Sequence, residues 1–145
     1  MSKVPDRRLF GYEKLGVWND ARGLIVKVYG LTRLFPKSET FGLASQLNRA
    51  VVSIACNLAE GSSRTSAKDQ AHFSQLAYSS LMEVMCLLTI CNDLNLITSE
   101  DLAKLRTSFA DLSARIHKLR QTQLIRINTS TRAQPASTSE APQPT

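Results

Sequence analysis

The sequence predicts an all-α protein, a single antiparallel up-down-up-down four-helix bundle, and three observations predict it. Between Tyr12 and Ile127 the only proline is Pro36. Three break signals, Phe35-Pro36-Lys37-Ser38, Gly61-Ser62-Ser63-Arg64 and Asn95-Leu96-Ile97-Thr98, divide that span into four segments. Every segment repeats apolar residues at spacings of three and four, and none alternates as a half-buried strand would. Connections this short place consecutive helices antiparallel.

In the first segment Trp18, Ala21, Ile25, Val28 and Thr32 share a face with Tyr29 beside them, while Gly23 and Gly30 each weaken the helix by about 1 kcal/mol relative to alanine. The second starts after Ser38 or Thr40, carries Leu47, Val51, Ile54 and Leu58 on one stripe, and ends at Gly61, expected as the left-handed residue closing the helix. The third opens with Ser66-Ala67-Lys68-Asp69 and aligns Phe73, Ala77, Ser80, Val84, Leu87 and Cys91. The fourth opens with Thr98-Ser99-Glu100-Asp101 and aligns Leu102, Leu105, Phe109, Leu112, Ile116 and Leu119. Both openings set acids at the positive end of a helix dipole.

Outside this span the chain changes character. Residues 1–11 read as an irregular lead-in, residues 12–127 as the bundle, and residues 128–145, rich in Ser, Thr and Pro with no apolar side chain larger than alanine, as a disordered tail. The 145 residues are 43% hydrophobic and 6% aromatic, which suits one soluble domain. No run of about 18 apolar residues and no signal-peptide pattern is present, so no membrane partner and a cytoplasmic location are expected. Cys56, Cys86 and Cys91 are odd in number and lack CxxC spacing, which excludes a disulfide framework and a zinc site and reads as reduced core cysteines.

Two apolar faces stand out. The second segment carries Val52 and Cys56 away from its main stripe, and in the third Tyr78, Met82 and Met85 point away from Phe73, with Glu83 the only charge from Ser79 to Cys91. A helix apolar all round must be buried all round, so the surplus predicts a homo-oligomer. Glu83 needs a partner, and the antiparallel register points to Arg49 as half of a partly buried ion pair.

The sequence has no P-loop, HExxH, GxSxG or GxGxxG motif, and His72 and His117 lie in different segments. It reads as a protein without catalytic, cofactor or metal residues. What remains is polar and basic. Asn57, Glu60, Gly61 and Arg64 fit a structural helix end, with Arg64 reaching back to Glu60; the same turn, with Arg64 and Lys68 at the start of the third segment, has the donors to receive a phosphate. The fourth segment adds Lys104, Arg106, Arg115, Lys118, Arg120 and Arg126 against Asp111 alone, within a chain of net charge +6. Such a run is a solvated face or a track for a phosphate backbone, and Arg115, Lys118 and Arg120 are its candidate contacts. No aromatics interleave it, so base stacking is not expected there. The rival expectation is a scaffold or adaptor that contacts only protein.

The strings Tyr12-Glu13-Lys14-Leu15-Gly16-Val17-Trp18, Phe35-Pro36-Lys37-Ser38-Glu39 with Phe41-Gly42-Leu43, Gln46-Leu47-Asn48-Arg49-Ala50-Val51-Val52-Ser53-Ile54 with Asn57-Leu58-Ala59-Glu60-Gly61, and Ser80-Leu81-Met82-Glu83 carry a family resemblance. Together they resemble the four-helix bundle proteins encoded within intervening sequences of bacterial 23S ribosomal RNA genes. That family is similar, more distantly, to the accessory variability determinant of diversity-generating retroelements. The resemblance implies a ring-forming homopentamer of undefined biochemical function, with RNA or DNA binding as the leading idea and a reverse transcriptase as a protein partner by analogy. It covers about Tyr12 to Ile97 and fades in the fourth segment, and Ser79 and Leu58 stand where glycine and isoleucine are common.

Overall fold

The structure, a computed structural model, describes residues 7–133. A 3-10 turn at Gly11–Lys14 leads into α1 (Gly16–Thr32), a second such turn at Lys37–Glu39 precedes α2 (Leu43–Ser62), and α3 (Ala67–Asp93) and α4 (Ser99–Arg132) follow. No strand occurs among the described residues. Each helix packs on its neighbours in sequence, with α2 on α3 and α3 on α4 the broadest seams, and α1 closes against α4 by the thinnest.

The helix starts behave as local chemistry requires. Ser66 and Thr98 have extended backbones, and their hydroxyls accept from the amides of Asp69 and Asp101. At α2 the hydroxyls of Ser38 and Thr40 are not used. Instead the Glu39 carboxylate accepts from the Leu43 amide at 3.2 Å, so the helix begins after Gly42. Among the described residues the one with a left-handed backbone is Asn95, at φ 59° in the α3–α4 turn, a conformation Asn tolerates better than most.

Gly61 corrects the sequence reading. No described glycine has positive φ, and α2 runs one residue beyond Gly61. The glycine is needed for space, because a Cβ there would lie 2.9 Å from the Cβ of Phe73 on α3. Phe73 Cβ is fixed to its backbone and cannot swing aside. Gly61→Ala is therefore expected to destabilise the protein by about 1–3 kcal/mol, although alanine favours helix by about 1 kcal/mol in isolation. Urea unfolding checks this, and an unchanged or raised midpoint contradicts it.

Within the bundle Leu47, Ile54, Ala77, Val84, Phe109 and Ile116 are fully enclosed, so most of each predicted stripe of α2, α3 and α4 faces the core, whereas Phe73 and Ser80 are only partly buried and Leu81 and Leu88, outside the predicted α3 stripe, are enclosed as well. In α1 the buried set is Val17, Ala21, Leu24, Val28 and Thr32, with Trp18 and Ile25 at its edges. Three polar pairs are matched inside the seams. The Thr32 hydroxyl donates to Asn48 Oδ1 at 2.9 Å, the Ser53 and Ser80 hydroxyls lie 2.9 Å apart, and Ser74 donates to Gln123 at 2.8 Å.

The disordered-tail expectation fails at its beginning. Helix α4 continues through Asn128–Arg132, where Thr129, Ser130 and Thr131 each donate a hydroxyl to the carbonyl four residues back. The expectations for residues 1–6 and 134–145 lie outside the described residues.

The cysteine reading is corrected as well. Cys91 is enclosed, but Cys56 and Cys86 are exposed on α2 and α3. Burial pushes the Cys91 thiol above its ordinary pKa, and the Glu39 carboxylate adds to that. In native protein at pH 8, Cys56 is expected to react with a thiol reagent quickly and Cys91 only after unfolding. Equal reactivity of Cys56 and Cys91 in the native state contradicts this packing.

Candidate nucleic-acid interface

The turn between α2 and α3 is held by its own side chains. Arg64 Nη2 lies 2.7 Å from Glu60 Oε1, with the guanidinium 4.7 Å from the Phe73 ring centre, and Gln70 Nε2 donates to the Arg64 carbonyl at 2.8 Å. Asn57 Nδ2 donates to the carbonyl and hydroxyl of Ser53 one turn earlier. Arg64 thus reaches back to Glu60, and Asn57 bonds within its own helix.

Arg49 and Glu83 do not form the expected ion pair. The register is right, since both line one hollow with Gln46, Ala50 and Ser53. Yet both side chains are exposed and no salt bridge joins them. The Ser53–Ser80 hydrogen bond occupies the adjoining seam, and each charge is solvated rather than stranded.

The basic track expected on α4 is not a single stripe. Arg115 and Arg120, five residues apart, point about 140° away from each other at the helical repeat. Arg115 is taken by α1, where its Nη1 bonds to Asp20 Oδ2. Lys118 is exposed, whereas Arg120 is partly buried with its Nε enclosed and unpartnered. The Arg115–Asp20 pair is about half exposed, so Asp20→Asn is expected to cost under about 1 kcal/mol in urea unfolding, and a loss above about 2 would show a stronger role.

The contacts reveal what the sequence order hides. Gln70 Oε1 accepts from Arg126 Nη1 at 3.3 Å, and Thr65, Ser66, Lys68, Arg126, Ser130 and Thr131 line a hollow of about 460 Å³ between the start of α3 and the end of α4. Lys118, Arg120, Arg126 and Arg132 thus share one half of the bundle with Arg64 and Lys68, opposed there by Glu60 and Asp69. Arg7, Arg8 and Lys14, with Glu13, join the same half through the first 3-10 turn, which touches α1 and α2. In the other half Lys27, Arg33, Lys37, Lys104 and Arg106 stand against Glu39, Asp93, Glu100 and Asp101. The excess positive charge is therefore gathered at the α2–α3 turn half and nearly cancelled elsewhere. Arg126, Ser130 and Thr131 were the residues missed as candidates, the last two because their composition reads as tail.

No group of His, Cys, Asp and Glu able to hold a metal occurs among the described residues. Helix α3 is long and apolar enough to cross a membrane by length and composition, but Ala77, Leu81, Val84 and Leu88 pack it into the core.

Comparison with known proteins supports the same architecture. A solved structure of a protein of unknown function from the S23 ribosomal protein family of Bacteroides thetaiotaomicron is similar at a TM-score of 0.67 and 18% identity, covering 72% of this chain and 97% of that one. No curated protein matches the sequence. The family described as 23S rRNA-intervening sequence protein matches residues 13–118. With most of the chain inside that match, and with four helices in the expected order, the chain belongs to the 23S rRNA-intervening sequence protein family.

Proposed function

We propose that this protein is a non-enzymatic, oligomeric bundle that binds RNA or DNA through the basic half around the α2–α3 turn. The observation that carries the proposal is the meeting of Lys68 and Arg126, from two helices, at a hydroxyl-lined hollow at the N-terminus of α3, in the half of the bundle that also holds Lys118 and Arg120. Lysine and arginine neutralise phosphates, and backbone amides and hydroxyls at a helix start hold phosphate oxygens. Contacts of this kind position a strand without reading its bases, so binding should tolerate changes of sequence. Fluorescence polarisation with an RNA hairpin and a DNA duplex at low salt tests the proposal, and absence of binding to both replaces it with the adaptor reading.

The paired contacts favour an up-down-up-down course: Gly61 meets Phe73 while Ser53 meets Ser80, and Ser74 meets Gln123 while Asn92 meets Ser99. Oligomerisation through α3 rests on its outward face, where Leu76, Met82 and Ile90 are about 40% exposed beside Cys86. Tyr78 and Met85 lie partly buried against the core rather than on that face. A homopentameric ring would repeat the basic half in every subunit and bind long polyanions by raised effective concentration. Met82→Glu with Ile90→Glu is expected to reduce the mass seen by light scattering toward the 16.0 kDa of one chain, and an unchanged mass contradicts assembly through this face.

A further inference from the structure

The 3-10 turn ahead of α1 displays a row of aromatic rings within the basic half. Phe10 is 69% exposed, and its ring lies parallel to that of Tyr12, within 2°, at 6.1 Å between centres. Tyr12 meets Trp18 of α1 edge to face at 4.8 Å, and the Arg22 guanidinium sits 5.0 Å from the Trp18 ring centre. Tyr12 and Trp18 are partly buried, so the row is anchored at one end and open at the other. The position of Phe10 is fixed by polar bonds. Its amide donates to Glu13 Oε2 at 2.8 Å, its carbonyl accepts from the Glu13 amide, and Asn19 Nδ2 of α1 donates to the Glu13 carbonyl at 2.9 Å. These bonds tie the turn to α1 and hold an aromatic ring in water, a costly arrangement for a side chain that nothing covers.

The charges around the row favour a polyanion. Arg8, Lys14 and Arg22 are exposed and join no salt bridge among the described residues, while Arg7 pairs with Glu13, whose side chain is only 11% exposed. Asp20 is taken by Arg115 and, two residues from both Trp18 and Arg22, points about 160° away from them. Asp111 lies on that far flank as well, lining a hollow with Asp20 and Gly23. The turn packs on α1 and α2, and the α2 face toward α1, marked by the Asn48–Thr32 bond, continues through Val52, Ala55 and Ala59 without a charge. Glu60, near the end of α2, is paired with Arg64, and Asp69 is on α3, which does not touch the turn.

We propose that Phe10, with Tyr12 and Trp18 behind it, is a stacking platform for an unpaired base, and that Arg8, Lys14 and Arg22 hold the neighbouring phosphates. The ligand is single-stranded nucleic acid. This rests on the reading of the basic half as a nucleic-acid interface and adds the form of the strand. A base inside a duplex has both faces covered, whereas an unpaired base offers a free face whatever its identity. Helix α4 has the charge but no interleaved aromatics, and the turn supplies them. A second copy of the row set against the first would bring cation to cation.

Fluorescence polarisation of the full chain at low salt, with an all-thymine DNA strand, the same backbone carrying abasic sites, and a DNA duplex of equal length, tests the platform. The wild type is expected to bind the strand more tightly than the abasic backbone. Phe10→Ala should weaken strand binding about 5- to 150-fold, the effect of removing one stacked ring. It should leave the abasic backbone and the duplex nearly unchanged, since every cation remains. Phe10→Tyr should keep the affinity and Phe10→Leu should lose it, which separates a stacking ring from apolar bulk. Phe10 is exposed on a turn outside the core, so these variants should keep the helical circular dichroism spectrum. Equal wild-type affinity for the strand and the abasic backbone overturns the inference, as does strand binding by Phe10→Ala at the wild-type level. In either case retained duplex binding leaves the basic half standing as an interface. A lower mass of Phe10→Ala in light scattering overturns the inference too, by placing Phe10 in a contact between copies. Absence of wild-type binding to all the probes removes the basic-half reading and this inference with it.

Discussion

Replacing Phe109 by alanine is expected to remove about 3–5 kcal/mol of stability, the cost of emptying a large site that its neighbours cannot refill. Phe109 is the largest of the fully enclosed side chains, and it sits on α4 beside Leu81 of α3. A domain of this size has about 5–15 kcal/mol in total, so the variant should be partly unfolded near 37 °C. Urea unfolding followed by circular dichroism measures it. A loss below about 1 kcal/mol would mean that the seam between α3 and α4 closes over the gap, which the enclosed Ser74–Gln123 hydrogen bond and the packed Ile116 argue against.

The second large effect concerns binding. Lys68→Gln, Lys118→Gln and Arg126→Gln together should weaken the affinity for RNA and DNA alike and flatten its dependence on salt. If each cation neutralises one phosphate, the slope of log affinity against log salt becomes shallower by roughly 2.7 for a duplex and 2.1 for a single strand. The three side chains are exposed and none forms a salt bridge, so the fold should survive their neutralisation. Arg115→Gln is the contrasting variant: its guanidinium is engaged with Asp20, and its removal should leave the slope nearly unchanged.

Much of the fold is legible in the sequence because it is set locally. The starts of α3 and α4 follow from a hydroxyl followed three residues later by Asp, an arrangement that needs no knowledge of the rest of the chain. The core stripes follow from helical spacing. What was misread depends on neighbours distant in sequence. Gly61 has the composition of a helix terminator, and only the approach of Phe73 shows that it is there for space. The level of Glu83 beside Arg49 follows from antiparallel counting, but whether two long side chains meet or turn to water depends on rotamers and on the Ser53–Ser80 bond beside them. Asn128–Arg132 has the composition of a tail, yet its backbone continues α4 and its hydroxyls bond to carbonyls four residues back.

The candidate site shows the same division. Arg64 and Lys68 were identified by their place at a helix start, and Lys118 and Arg120 by the charge of their segment. Their sharing of one half with Arg126 required the register between α3 and α4, fixed by Gln70 with Arg126 and by Ser74 with Gln123. Counting charge along the sequence assigns the excess to α4, whereas counting it along the bundle axis assigns it to one end. The second count governs what a polyanion meets, since potentials add through space.

The most direct test of the central claim is the salt dependence of nucleic-acid affinity, measured for the wild type, for the Lys68, Lys118 and Arg126 triple variant, and for Arg115→Gln. The account predicts affinity that falls steeply with salt in the wild type and in Arg115→Gln, and a weaker, flatter dependence in the triple variant. Equal slopes in all three, or no binding by the wild type at low salt, would contradict it.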